Sequence, residues 1–212
     1  MLTPSDVREL IRPFYPALTD EQAAQVKAYL DLLMKWNEKI NLTAIRDERE
    51  CITRNFGESL FLAGMFSLYG RLLDVGSGAG FPGLAIKIVA PDTAVTLLEP
   101  NGKKRAFLGE VARVCELREV EVRSERFEEF TPNEKFNAIT CRALGGFEEF
   151  DLKIAEVLEP GGRIYLWTTV SKQRDVNQSP SHFRWAGSVA IPESEQELIR
   201  VGVSNSAVKK KP

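Results

Sequence analysis

Chemistry concentrates in one stretch, Arg71–Gly83, where Asp74, Gly76, Gly78 and Gly80 stand at alternate positions. Glycines this close let a chain bend sharply or let a ligand come against its backbone, at a cost in backbone entropy. Leu72, Leu73 and Val75 before them form the short apolar run of a strand covered on both faces. Pro82 after them suits a first helical position, and a helix over Gly83–Ala90 is stopped by Pro91. Strand, glycine turn and helix predict the first unit of a nucleotide-type α/β fold, with its ligand at the carboxyl end of the strand. The dinucleotide pattern G-x-G-x-x-G fails, because Phe81 stands where the third glycine belongs. No G-x-x-x-x-G-K-[ST] loop is present either. A tight turn in another kind of α/β protein stays open at this point.

Further candidates lie at the ends of the strands that follow. The second strand, Ala94–Leu98, ends in Glu99, about 20 residues past the glycine turn, where a carboxylate can take both ribose hydroxyls. The alternative is a solvated strand-end charge. Lys103, Lys104 and Arg105 open the next helix, which carries Phe107, Leu108, Val111 and Val114 inward. Cations at a helix start oppose its dipole and hint at an anionic partner; a solvated face is the plainer reading. A third strand covers Val120–Val122 and a fourth Phe136–Cys141. Arg142 ends the fourth and either points into the ligand crevice or bridges to a helix on the sheet face.

These residues need a scaffold. Residues 1–70 read as a helical extension. Thr19 and Gln22 form a capping box. Ala23, Val26, Leu30, Leu33 and Ile40 follow near helical spacing. Tyr29, Leu33 and Trp36 are expected to be core packing. Asn37–Thr43 reads as a turn, and a further helix spans Glu48 to about Phe66. From Arg71 strands and helices alternate, which predicts a parallel sheet over residues 71–204. Ile154, Val157 and Leu158 lie on a helix closed by Glu159-Pro160-Gly161-Gly162, ahead of a fifth strand, Arg163–Trp167. A polar loop then runs to about Pro180, and Phe183–Ile191 with Glu197–Val203 close the fold as an antiparallel pair. His182, the sole histidine, falls outside the strand-end crevice and gets no catalytic role. Residues 205–212 form a basic tail expected to be disordered.

Composition bounds the function. At 212 residues the chain suits one domain with an appendage, and 43% hydrophobic with 27% charged residues is ordinary for a globular protein. A net charge of −2 means that nucleic-acid contact must come from a local patch. Three cysteines with no C-x-x-C pair argue against a disulfide framework or a zinc site, and no metal is expected. They fit a reducing cytoplasm. No apolar run reaches the ~18 residues of a membrane span, and no basic-then-apolar signal pattern opens the chain.

Several stretches together resemble one family. Asp74–Gly80 resembles the first motif of class I S-adenosylmethionine methyltransferases. Trp36–Asp47 (WNEKINLTAIRD), Asp74–Gly83 (DVGSGAGFPG), Leu97–Leu108 (LLEPNGKKRAFL) and Cys141-Arg142-Ala143 are similar to motifs of the rRNA small subunit methyltransferase G family, also called GidB or RsmG. The resemblance runs from about residue 20 to about 203. It implies a Rossmann-like, mostly parallel seven-stranded sheet with a helical amino-terminal extension. It implies methyl transfer from S-adenosylmethionine to N7 of a guanosine in the 530 loop of bacterial small-subunit ribosomal RNA. Small-subunit RNA or the assembling 30S particle would be the partner, met in the cytoplasm by a monomer. Gly76, Phe81, Phe127, Glu128 and Arg142 are the positions carried over as cofactor contacts. Phe127 would stack on the adenine and Glu128 accept from its amine. Asp74, Gly78, Gly80 and Glu99 join them from the residue reading. Lys103, Lys104, Arg105, Lys39 and Arg46 are the expected RNA contacts, and no catalytic base is assigned.

Three departures from the family pattern bear on substrate. The R-H-F-x-D-S segment reads Arg54-Asn55-Phe56-Gly57-Glu58-Ser59, the S-R-A serine is Cys141, and Trp167-Thr168 replace a Lys-Gly. A methyltransferase of the same fold acting on another RNA or a small molecule therefore stays open, as does a non-catalytic S-adenosylmethionine-binding protein.

Overall fold

A computed structural model describes residues 1–142, 147–171 and 183–204. Ala143, His182 and the tail 205–212 lie outside the described residues, as does most of the polar loop after the fifth strand. The amino-terminal part folds as α1 (Pro4–Ile11), α2 (Asp20–Asn37), α3 (Glu48–Cys51) and α4 (Glu58–Met65), the last two joined by a π-helical turn, Ile52–Gly57. Thr19 caps α2 with the expected reciprocal box, its hydroxyl accepting from Gln22 N–H while Gln22 returns a bond to the cap. Buried Asn37 organises the following turn, its Oδ1 accepting the Leu42 N–H at 2.9 Å and the Thr43 N–H at 3.1 Å.

The sheet is formed by β1 (Arg71–Val75), β2 (Ala94–Leu98), β3 (Val120–Arg123), β4 (Phe136–Cys141), β5 (Leu158–Thr169), β6 (Phe183–Ala190) and β7 (Glu197–Ser204), in the order β3-β2-β1-β4-β5-β7-β6. All pairs from β3 to β5 are parallel, and β7 runs antiparallel to both its neighbours. Helices α5 (Gly83–Val89), α6 (Gly102–Val114) and α7 (Phe147–Val157) connect the parallel strands.

Alternation along β1 explains the two cores. Leu72 faces a cluster shared with α1, α2, α4, α5 and α6, whereas Leu73 and Val75 face a second one that holds Ile154 and Val157 of α7. The amino-terminal helices thus share an apolar core with the sheet. Trp36 of α2 meets Phe107 of α6 with ring centroids 5.6 Å apart. Among the described residues no helix is long and apolar enough to cross a membrane.

Three local expectations need correction. Leu158 belongs to β5, not to the preceding helix. It pairs with Phe136, and the next matched pair is Ala138 with Arg163, so Glu159-Pro160-Gly161-Gly162 forms a bulge inside the strand. Val114 is an exposed apolar residue at the end of α6. Pro82 caps α5 from outside rather than opening it.

Candidate cofactor and RNA site

Register sets the site. Val75 pairs with Leu98 and with Cys141, so these strands end level, and Gly76, Glu99 and Arg142 are the first residues beyond them. The carboxyl edge of the sheet therefore carries a glycine turn, a carboxylate and an arginine on three adjacent strands.

The turn is built from backbone bonds that only its glycines permit. Gly76, Gly78 and Gly80 take φ of +70°, +57° and +90°. Ser77 N–H donates to the Leu98 carbonyl at 3.0 Å, and Gly80 N–H returns to the Ser77 carbonyl at 2.7 Å. Glu99 is 6% exposed. Its Oε2 accepts the Gly78 N–H at 2.9 Å and its Oε1 the Asn101 N–H at 2.8 Å. Glu99 thus ties the turn to the start of α6.

The three glycines differ in what surrounds them. A Cβ at Gly76 would meet nothing within 4 Å, and one at Gly78 only the Gly76 carbonyl at 3.8 Å. At Gly80 a Cβ would run into Tyr29 Oη and come to 2.9 Å from Leu84 Cδ1. Gly76 and Gly78 border open space, whereas Gly80 lies against α2.

Asp74 stands beneath the turn, 1% exposed. Its Oδ1 accepts the Thr140 hydroxyl at 2.7 Å and its Oδ2 the Gly83 N–H at 3.3 Å. Burial raises its carboxyl from the usual value to about 6, against the pull of these hydrogen bonds and of Arg142. The folded form therefore binds the proton more tightly than the unfolded one. The associated stability is full below about pH 4 and is lost as pH rises through 6. Asp74→Asn can accept from Gly83 and donate to Thr140 Oγ1 without the buried charge. It is expected to be about 2 kcal/mol more stable than wild type at pH 7.5, with the gap narrowing to less than half of that at pH 4.5. Urea unfolding at the two pH values checks this; a less stable variant at pH 7.5 would show the charge to be needed.

The other candidates are dispersed. Phe81 is 8% exposed and stacks on Tyr29 of α2, centroids 5.3 Å apart and planes within 3°. Phe127 is buried against Phe150 at 5.7 Å, and Glu128 is exposed. The Arg142 guanidinium turns to the amino-terminal helices, donating to Glu58 Oε2 and to the Arg54 carbonyl, each at 2.6 Å. Of its two sequence readings, the bridge to a helix is the one seen. At the α6 start Asn101 caps the Lys103 and Lys104 amides at 3.0 and 3.2 Å. Lys103 is exposed and Lys104 half-buried. Arg105 spends its guanidinium on the Glu99 and Pro100 carbonyls at 3.0 and 2.6 Å. Lys39 is exposed, and Arg46 Nη1 donates to the Asn37 carbonyl at 2.8 Å.

Tyr29 is the residue that sequence reasoning passed over. Its ring fits the apolar stripe of α2, but its hydroxyl donates to the Ala79 carbonyl inside the glycine turn. Gly83 was equally silent: a Cβ there would come to 2.6 Å from Leu97 Cδ2 and 2.9 Å from Asp74 Cβ, so α5 reaches β1 and β2 only without one. A buried tyrosine needs a partner for its hydroxyl, and that requirement was the available signal.

A family model described as "rRNA small subunit methyltransferase G" (GidB) matches residues 22–197. A ribosomal RNA small subunit methyltransferase G of Chromobacterium violaceum is 42% identical over 188 residues, 87% of this chain and 90% of that protein. The protein of that name from Stutzerimonas stutzeri is 44% identical over 134 residues, and the match spans 63% of this chain and 62% of the relative's length. Among solved structures, Pyrococcus horikoshii TYW2 in complex with MeSAdo superposes with a TM-score of 0.58 at 16% identity, over 72% of this chain and 63% of that one. TrmN from Thermus thermophilus gives 0.55 at 18% identity, over 72% and 53%. Those two likenesses concern the fold. Taken with the glycine turn and the level strand ends, the family match and the relatives have one consequence: this chain belongs to the rRNA small subunit methyltransferase G family.

Proposed function

We propose that this protein is an S-adenosylmethionine-dependent methyltransferase. It acts on N7 of a guanosine in the 530 loop of small-subunit ribosomal RNA, free or in the assembling 30S particle, in the cytoplasm and as a monomer. The observation that carries the reading is the carboxyl edge, where Gly76 and Gly78 border open space and Glu99 stands beside them. These residues fit the cofactor: backbone without side chains can meet its methionine part, and the Glu99 carboxylate its ribose. Phe81, Phe127, Glu128, Arg142 and Asp74 join them by motif, with Asp74 and Gly80 acting from beneath as supports of the turn.

The cofactor supplies an electrophilic sulfonium methyl group. Guanine N7 is an acceptor with a free lone pair, so no proton has to be removed before it attacks. The protein therefore needs no base, and its residues contribute by fixing nucleophile and methyl in line. The level strand ends at Gly76, Glu99 and Arg142 provide a rigid wall for that alignment.

A second reading, methylation of another RNA or of a small molecule, draws on Trp167. This residue is 8% exposed and packed in the core where the family pattern has a lysine. Incubating purified small subunits with labelled S-adenosylmethionine and this protein separates the readings. Label in N7 of a 530-loop guanosine is the expected result; label elsewhere, or none, would reject the first reading.

RNA contact is assigned to Lys103 and Lys104 on the rim at the α6 start, with Lys39 and Arg46 as a second patch. Arg105 contributes by holding the strand end. Changing Lys103 and Lys104 to Ala should weaken RNA binding and lower its salt slope by about one unit per lost phosphate contact, leaving the methylated position unchanged. An unchanged slope would move the RNA surface to Lys39 and Arg46.

A further inference from the structure

Six residues between α3 and α4 leave the α-helical pattern. Across this π turn the Glu58 N–H bonds to the Thr53 carbonyl, five residues back. In a regular helix it would take the Arg54 carbonyl. That carbonyl is released from Glu58 and accepts Arg142 Nη2 at 2.6 Å. The same Nη2 donates to Glu58 Oε2 at 2.6 Å, and Nη1 lies 3.5 Å from Asn55 Oδ1. These three contacts of the guanidinium thus all come from residues 54–58.

Glu58 is the centre of the group. Its side chain is 2% exposed, and its second oxygen takes Arg54 Nε at 3.2 Å. Arg54 continues to Glu197 Oε1 at 2.8 Å, at the start of β7. Burial, with Glu197 alongside, pushes the Glu58 carboxyl up to about 7, against the opposing pull of Arg142 and Arg54. A buried carboxylate between guanidiniums is a poor source of stability, because desolvation offsets the attraction. Its retention is better explained by what it holds in place. It holds the residue after β4, whose last strand residue, Cys141, is in register with the last residue of β1. Inserted π turns are frequent at functional sites for this reason: they redirect a carbonyl or a side chain.

We propose that Glu58 is a positioning residue that, through Arg142, fixes the end of β4 as the wall of the cofactor site beside the glycine turn. The inference rests on the carboxyl edge being the S-adenosylmethionine site. It makes the amino-terminal helices a part of that site, joined to it at Arg142 as well as at Tyr29.

Calorimetric titration of the full chain with S-adenosylhomocysteine tests it, in wild type, Glu58→Gln, Arg142→Ala and the double variant. Glu58→Gln keeps the shape and removes the charge, and should weaken binding about tenfold, as for loss of one charge-assisted bond. Arg142→Ala should lose at least as much, and the double variant no more than Arg142→Ala. Leu60→Ala, in the same helix and fully buried, is the control. It lowers stability but should bind as wild type, whereas a merely structural role for Glu58 would weaken both. If Glu58→Gln does not fold, Glu58→Met replaces it, keeping length with no polar atom to bury. Wild-type affinity in the Glu58 variant, or additive losses, would overturn the inference while a loss in Arg142→Ala leaves the site standing. If wild type itself binds no S-adenosylhomocysteine, the site reading and the inference fall together.

Discussion

Arginine in place of Gly78 is expected to give a folded protein that no longer binds S-adenosylhomocysteine. The two halves of that expectation come from different facts. Folding survives because a Cβ at Gly78 would meet only the Gly76 carbonyl, at an ordinary 3.8 Å. The cost is the left-handed backbone, φ +57°, at about 1–2 kcal/mol for a residue with a side chain. Binding fails because the new side chain grows into the space the ligand needs. Gly78 N–H also bonds Glu99 Oε2, so the guanidinium would rise beside that carboxylate and pair with it. Affinity should fall by more than ~100-fold, a loss of about 3 kcal/mol or more. Thermal unfolding within a few degrees of wild type, together with a flat calorimetric titration, is the expected pair of results. A folded variant with unchanged affinity would move the cofactor site away from this turn.

Glu58 and Tyr29 illustrate where reading from sequence stopped. The ends of β1, β2 and β4 were legible because buried parallel strands are continuous apolar runs, closed here by glycine, a charge and an arginine. Glu99 was legible through its place after β2, and the α2 start through Thr19 and Gln22, whose bonds are local. The Arg142–Glu58 contact spans 84 residues and the Tyr29–Ala79 contact 50. No periodicity encodes such pairs; they arise only once α2 and the π turn dock on the sheet. Residues 159–162 misled for a different physical reason. Pro-Gly-Gly is a helix stop, but here the stop comes at Val157 and the glycines shape a bulge, with Gly161 at φ +78°. Two uses of the same backbone freedom are indistinguishable in sequence.

Gly80→Ala is expected to cost the protein about 2–5 kcal/mol, the sum of ~1–3 for overpacking and ~1–2 for a side chain at positive φ. The added methyl would collide with Tyr29 Oη and approach Leu84 Cδ1 to 2.9 Å and Leu108 Cδ2 to 3.1 Å. The leucine methyls can yield by small rotations. Tyr29 cannot, since it is stacked on Phe81, meets Phe56 edge-on at 5.0 Å, and donates its hydroxyl to the Ala79 carbonyl. Tyr29→Phe on its own removes that donor and should cost ~1–2 kcal/mol, the penalty for a buried carbonyl losing its partner. In the double variant the hydroxyl is absent, so the principal collision is absent too. The double loss should therefore fall short of the sum of the single losses by at least ~1 kcal/mol. Urea unfolding of the four proteins completes the cycle. Additive losses, within about 0.5 kcal/mol, would mean that the turn and α2 adjust independently. The shortfall would instead establish that the tyrosine hydroxyl and the bare Gly80 Cα share one space, which is how an amino-terminal helix holds a glycine turn 50 residues away.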